Sequence, residues 1–149
     1  MPKIAIIIKE IALDRRCNNF NIALKNQIKQ ILLIINQHGP SWKPGKEYYH
    51  LLKRKKRRHI PLDWELQDYN RLIMNILNDK ENDIYIYFKE GFLQNYFIFA
   101  DGNAWIVIIG EDGIIDTAMI ADNYFNYLDE AKGYSYIGKI KEVWQTWNS

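Results

Sequence analysis

Asn95-Tyr96-Phe97-Ile98-Phe99-Ala100-Asp101-Gly102-Asn103-Ala104-Trp105-Ile106-Val107-Ile108-Ile109-Gly110-Glu111-Asp112-Gly113-Ile114-Ile115-Asp116-Thr117-Ala118-Met119-Ile120 is the stretch that decides the fold. It holds three short apolar, aromatic and β-branched runs. Asp101-Gly102-Asn103 and Gly110-Glu111-Asp112-Gly113 separate them, and both read as turns because Gly and Asn accept positive φ. Runs of this length between such turns predict consecutive antiparallel strands. A further strand, Ile84-Tyr85-Ile86-Tyr87-Phe88, precedes them, with Glu90-Gly91-Phe92 as its turn, so the expectation is a four-stranded antiparallel meander. Residues 105–109 are apolar at every position, which predicts a central strand covered on both faces. Placing Gly110 opposite Gly113 sets Ile106 facing Thr117 and Val107 facing Asp116. Alternation then puts Ile115, Thr117 and Met119 on one sheet face and Asp116 and Ala118 on the other.

Upstream of the strands the apolar period changes to that of a helix. Leu62, Leu66, Tyr69, Ile73 and Ile76 recur at spacings of three and four, with Asp63 as N-cap and an end near Asn78. An earlier helix begins at Asn18 or Asn19 and runs to about Gln37. Phe20, Leu24, Ile28, Ile31, Leu32 and Ile35 form its inner stripe, and Lys25 and Lys29 lie off it, in solvent. His38-Gly39-Pro40 stops it. Residues 3–13 read as a strand or as the start of a buried helix. Residues 39–50 read as a loop. After the strands, Asn123–Ala131 reads as a short helix with Tyr124, Tyr127 and Leu128 inward, ended by Lys132-Gly133. Residues 137–147 read as a last helix, with Ile137, Ile140, Val143 (or Trp144) and Trp147 packed. The fold class is α+β: an N-terminal helical segment, a helix packed on a four-stranded antiparallel meander, and a C-terminal helical segment. At 149 residues the default is a single domain, made of a helical and basic part (1–50), a basic segment (51–60) and a helix-plus-sheet core (61–149).

The charge is divided along the chain. Residues 1–63 carry 14 Lys+Arg against 4 Asp+Glu, while residues 64–149 carry 6 against 14. The basic half culminates in Lys53-Arg54-Lys55-Lys56-Arg57-Arg58-His59, which reads either as a solvated linker or as a phosphate-contacting run. Trp42, Tyr48 and Tyr49 lie between lysines, placed to stack on bases or to pin a loop to the core. No apolar run reaches the length of a membrane span, and the single cysteine, Cys17, allows no internal disulfide and reads as an inert thiol. A reducing, cytoplasmic setting is expected.

Metal-ligand spacing, a P-loop and a dinucleotide-binding fingerprint are all missing from the sequence, so neither metal nor cofactor is expected. Any catalysis rests on His, Arg, Lys, Thr, Tyr or carboxylates. That inventory suits RNA cleavage by the substrate's own 2′-hydroxyl, which needs a proton acceptor, cations for the phosphorane and a proton donor for the leaving oxygen.

Arg57-Arg58-His59-Ile60, then a helix with Tyr69, Leu72, Ile73, Ile76 and Leu77, then a meander ending Ile115-Asp116-Thr117-Ala118, resembles the barnase/EndoU/colicin/RelE-like group of toxin and phage nucleases over about residues 57–122. The resemblance implies a small metal-independent RNase of toxin type, with RNA (tRNA or mRNA) as substrate and an inhibitor or antitoxin protein as partner. It makes His59 the general acid or base, Arg58 or Arg57 a phosphate contact, and Thr117 the group that orients a phosphate oxygen or a proton. Tyr124 is a further candidate contact that the resemblance does not assign. Pro61 and Leu62 stand where many of that group carry a second His or Arg. RNA and phosphate contacts are expected from Lys53, Arg54, Lys55, Lys56, Arg57, Trp42, Tyr48 and Tyr49.

Two other readings use the same features. One is a non-catalytic nucleic-acid-binding module built on the same cations and aromatic rings. The other is an immunity- or antitoxin-like interaction domain whose acidic half meets a basic partner.

Overall fold

A computed structural model describes residues 22–88 and 94–145. Among the described residues three helices come first: α1 (Ile22–His38), α2 (Lys46–Lys56) and α3 (Leu66–Asn78). Four strands follow: β1 (Asp83–Tyr87), β2 (Tyr96–Ala100), β3 (Trp105–Gly110) and β4 (Ile115–Ile120). After them come α4 (Tyr124–Tyr127), a 3₁₀ turn (Glu130–Lys132), β5 (Tyr134–Lys139) and α5 (Ile140–Trp144). The fold is α+β, with five antiparallel strands in the order β4-β3-β2-β1-β5. Among the described residues no helix is long and apolar enough to cross a membrane. The expectations for residues 3–13, Cys17, Phe20, the 90–92 turn and Trp147 lie outside the described residues.

Alternation along the strands divides the apolar side chains between two layers. Ile84, Ile86, Phe97, Phe99, Val107 and Ile109 face α1, α3 and α5, where Ile28, Leu32, Tyr69, Ile73 and Ile140 meet them. Ile98, Ala100, Ile106 and Ile108 face the other way and are covered by Ala121, Tyr124 and Leu128. Strand β3 is therefore buried on both faces, as its unbroken apolar run predicts.

Five expectations are corrected. First, the sheet has five strands, because residues 134–139 pair with β1 where a helix was expected from 137. The pairing brings Tyr85 opposite Tyr136 and Tyr87 opposite Tyr134, and cross-strand aromatic pairs of this kind favour a sheet. Ile137, Ile140 and Val143 are buried as expected, but from a strand and a single turn of helix.

Second, the β3–β4 register differs. Gly113 sits at φ +82, and Gly110 exchanges hydrogen bonds with Ile114 and Gly113, so the turn places Ile114 opposite Gly110. Ile106 then pairs with Met119, Val107 with Ala118 and Ile108 with Thr117. A slip follows, and Ile109 pairs with Ile115. The extra residue in β4 lets Ile115 and Ala118, three apart, both enter the helix-side core and leaves Asp116 exposed.

Third, residues 46–56 are helical, where a loop was expected to residue 50 and the basic run was read as either a solvated linker or a phosphate-contacting run. Leu51 and Arg54 supply the buried side, Glu47 lies in the first turn and Lys53, Arg54, Lys55 and Lys56 in the last, which suits the helix dipole. Two inward side chains are too few to show as a periodic stripe.

Fourth, α3 starts at Leu66 with Glu65 as its cap. The Glu65 N–H donates to Asp68 Oδ2 at 2.8 Å, and Asp63 and Leu62 are exposed before it. Fifth, Lys25 is 8% exposed, buried on α1 where solvent was expected. The α1 stripe from Leu24 to Ile35 is otherwise as predicted, and Gly39 ends the helix at φ +84, its N–H donating to the Ile35 carbonyl.

Candidate functional site

Strand β4 is a sheet edge, and α2 lies across it. Ser41 and Trp42 secure this arrangement. The Ile115 N–H donates to the Ser41 carbonyl at 2.8 Å, and Trp42 makes a parallel bridge to Ile115. Trp42 Nε1 donates to Asn70 Oδ1 on α3 at 3.0 Å, and its ring packs 5.7 Å from Tyr69. The Tyr69 hydroxyl in turn donates to the Ala118 carbonyl. The Ser41-Trp42 segment thus binds α3 to β4, and the Trp42 ring, 5.2 Å from His50, brings α2 against them.

A cleft of about 360 Å³ remains between α2 and β4. Lys43, Lys46, Lys53 and Arg54 bring four cations to it, Tyr49 and His50 bring rings, and β4 brings Asp116, Thr117 and Met119. His50 Nδ1 stands 3.5 Å from Thr117 Oγ1. Its ring is held between Trp42, at a centroid distance of 5.2 Å, and the edge of Tyr49, at 5.3 Å. Burial lowers the His50 pKa below its ordinary value of 6.5. Arg54 adds to this, Asp116 opposes it, and Lys53 and Lys46 lower it further. A neutral imidazole at pH 7 follows, and neutral imidazole is the proton-accepting form.

Arg54 forms the floor of the cleft. It is 2% exposed, and its Nε has no hydrogen-bond partner among the described residues. Its Nη1 donates to His59 Nδ1 at 3.0 Å. Guanidinium only donates, so His59 Nδ1 is an acceptor there and the His59 proton sits on Nε2. The Ile120 N–H donates to the same Nδ1 at 3.3 Å. Burial pulls the Arg54 pKa down. Among the described residues, no ion pair includes a cation from residues 43–58. A buried guanidinium with no ion pair among the described residues, in a cleft whose four cations face the single carboxylate of Asp116, favours an anion there.

Nine of the residues expected at the site separate into four groups. Thr117, Tyr49, Lys53 and Arg54 meet in the cleft. Trp42 stands behind it as a wall. Lys56 and Arg57 line an adjoining concavity on the exposed side of α2. Tyr48 and Lys55 face another flank, beside Trp64 and Glu65.

The two remaining catalytic candidates serve the end of α2. Arg58 has φ +60, the Arg58 N–H donates to the Lys55 carbonyl, and the His59 N–H donates to the Arg54 carbonyl at 2.9 Å. That is a Schellman cap, with Arg58 at the left-handed position usually held by Gly. His59 then turns inward onto Arg54 and edge-on to Trp105. Tyr124 lies on the opposite sheet face, where its hydroxyl accepts from the Gly102 N–H and burial pushes its pKa up to about 12.

Sequence reasoning missed His50, Lys43, Lys46 and Asp116. The available signal was His50 and Arg54 four residues apart, a spacing that puts both on one helix face, once residues 46–56 are read as helix. Among the described residues no group of His, Cys, Asp or Glu is placed to hold a metal ion. Compared with known proteins, the chain matches no family model, no curated protein and no solved structure.

Proposed function

We propose that the cleft between α2 and β4 cleaves RNA without a metal ion, with His50 as the proton acceptor. One observation carries the reading: His50 beside Thr117 in a cationic cleft floored by Arg54, whose Nε has no hydrogen-bond partner among the described residues. His50 takes the proton of a ribose 2′-hydroxyl. The 2′-oxygen bonds to phosphorus, the bond from phosphorus to the 5′-oxygen breaks, and a 2′,3′-cyclic phosphate results. Arg54 and Lys53 carry the charge on the non-bridging oxygens, and Thr117 donates to one of them. The ammonium group of Lys46 or Lys53 is available to give the leaving 5′-oxygen its proton. His59 holds Arg54 in place.

The resemblance of residues 57–122 to toxin and phage nucleases supports the same activity class, and with it tRNA or mRNA as substrate and an inhibitor protein as partner. It assigns the proton transfer to His59, whereas the cleft favours His50.

The test is incubation of the protein with total RNA and tRNA in excess EDTA, beside His50→Ala. Fragments with cyclic-phosphate ends are expected, reduced about 100-fold or more by the substitution. Wild-type cleavage by His50→Ala would remove His50 from the mechanism. Intact RNA retained in a salt-sensitive way would replace the nuclease with a binding module, and intact unbound RNA would leave the interaction-domain reading.

A further inference from the structure

The exposed side of α2 continues the cleft. A second concavity of about 570 Å³ adjoins it, lined among the described residues by Tyr49, Leu52, Lys53, Lys56 and Arg57. Tyr49 and Lys53 line both hollows. Tyr49 is 54% and Leu52 64% exposed, so an apolar surface lies open between cations. The ammonium groups of Lys46 and Lys53 flank the Tyr49 ring at 5.4 and 5.9 Å from its centroid. Lys56 and Arg57 come one helical turn after Lys53, about 5.4 Å further along the axis.

We infer that a single-stranded RNA runs from the cleft along this side of α2, with a base on Tyr49 and Leu52 and the next phosphate on Lys56 and Arg57. The inference rests on the nuclease reading and adds the form of its substrate. A ring between cations matches a base between phosphates, the arrangement by which single strands are held. Stacking on Tyr49 needs a base free of its complement, so a duplex is excluded from this path. The other flank of the helix is less suited, because Lys55 and Tyr48 share it with the Glu65 carboxylate. The path therefore has a direction, past Lys56 and Arg57 and away from Lys55.

The test compares a dinucleotide, which fills the cleft alone, with a single-stranded octanucleotide and with the same octanucleotide in a duplex. The variants are Lys56→Gln with Arg57→Gln, and Lys55→Gln as the control. The double substitution is expected to lower the ratio of octanucleotide to dinucleotide kcat/KM about tenfold or more, through KM, and Lys55→Gln to change it little. The duplex is expected to be cleaved more slowly than the single strand. An equal effect of Lys55→Gln, an unchanged ratio in the double variant, or duplex cleavage at the single-strand rate would overturn the path. If wild type cleaves neither substrate, the nuclease reading fails by itself, and octanucleotide affinity by fluorescence anisotropy then judges the path. The double variant must weaken binding more than Lys55→Gln does, and more for the octanucleotide than for polyglutamate. Equal weakening for both polymers would show a general polyanion patch and overturn the inference.

Discussion

Arg54 Nη1 donates to His59 Nδ1 at 3.0 Å, and this bond folds the residue after the α2 cap back onto the helix. The same Nδ1 accepts the Ile120 N–H, so one imidazole nitrogen serves a guanidinium and a strand end. His59→Ala leaves both donors without that acceptor. A loss of about 1–3 kcal/mol in unfolding free energy is expected by urea denaturation. His59→Asn, which offers a side-chain oxygen in the same region, should lose less. A His59→Ala protein as stable as wild type would remove this supporting role.

The two imidazoles set the direction of the pH dependence. Burial, with Arg54 adding to it, lowers the pKa of both His50 and His59 below 6.5. Arg57 also lowers that of His59, while Asp116 and Asp122 raise those of His50 and His59 respectively. Below 6.5 the unfolded chain therefore binds more protons than the folded one. Stability is full above 6.5 and is lost as pH falls through the lowered folded values. The unfolding free energy should decline from about pH 6.5 toward pH 5, and the decline should flatten in a His50→Gln/His59→Asn double variant. The acidic limb of the cleavage rate should have its midpoint below 6.5, since His50 must be neutral to accept a proton. A midpoint above 6.5 would contradict a lowered His50.

Arg58 occupies the left-handed cap position at φ +60 and is exposed. A side chain there is strained, and Gly is not. Arg58→Gly is expected to raise stability by up to about 1 kcal/mol, after the added flexibility of Gly in the unfolded chain is subtracted. It should leave cleavage of a dinucleotide within about twofold of wild type, because Arg58 does not line the cleft. A large fall in that rate would return Arg58 to the catalytic group.

The Tyr69 hydroxyl donates to the Ala118 carbonyl on the edge strand. Tyr69 is fully buried, and burial holds its phenol protonated well above the usual range. Tyr69→Phe keeps the ring and removes the donor, so β4 loses its tie to α3. A cost of about 1–2 kcal/mol is expected in thermal or urea unfolding. Amide exchange should quicken along β4 more than along β2. Equal exchange in both strands would show that the bond does not secure the edge.

Several local features were legible without tertiary information. The strands of 84–120 follow from short apolar runs between Gly, Asn and Asp turns, and their ends fall within a residue or so of the prediction. The inner stripe of α1 and the Tyr69-Ile73-Ile76 face of α3 follow from spacing. The α2 helix was hidden because Arg54, one of its two buried side chains, is charged. The fifth strand was hidden because Tyr-Ser-Tyr-Ile-Gly-Lys is stabilised by Tyr85 and Tyr87 on a strand about fifty residues earlier. The Gly110–Gly113 hairpin was recognised, but its register depends on one left-handed glycine.

The candidate site divides in the same way. Composition and order alone determined that the positive charge is concentrated in residues 53–58 and that Thr117 lies on the last strand of the expected meander. Tertiary structure decided which histidine faces the cleft. His50 and His59 lie nine residues apart in one basic stretch, and nothing local distinguishes them. The helical turn of α2 carries His50 toward Thr117, and the Schellman cap at Arg58 folds His59 back onto Arg54 and Ile120. Helix phase and a cap geometry assign the two imidazoles their places. The cap's hydrogen bonds are local, but His50 meets Thr117 and His59 meets Ile120 only when α2 is laid against β4, some sixty positions further along the chain.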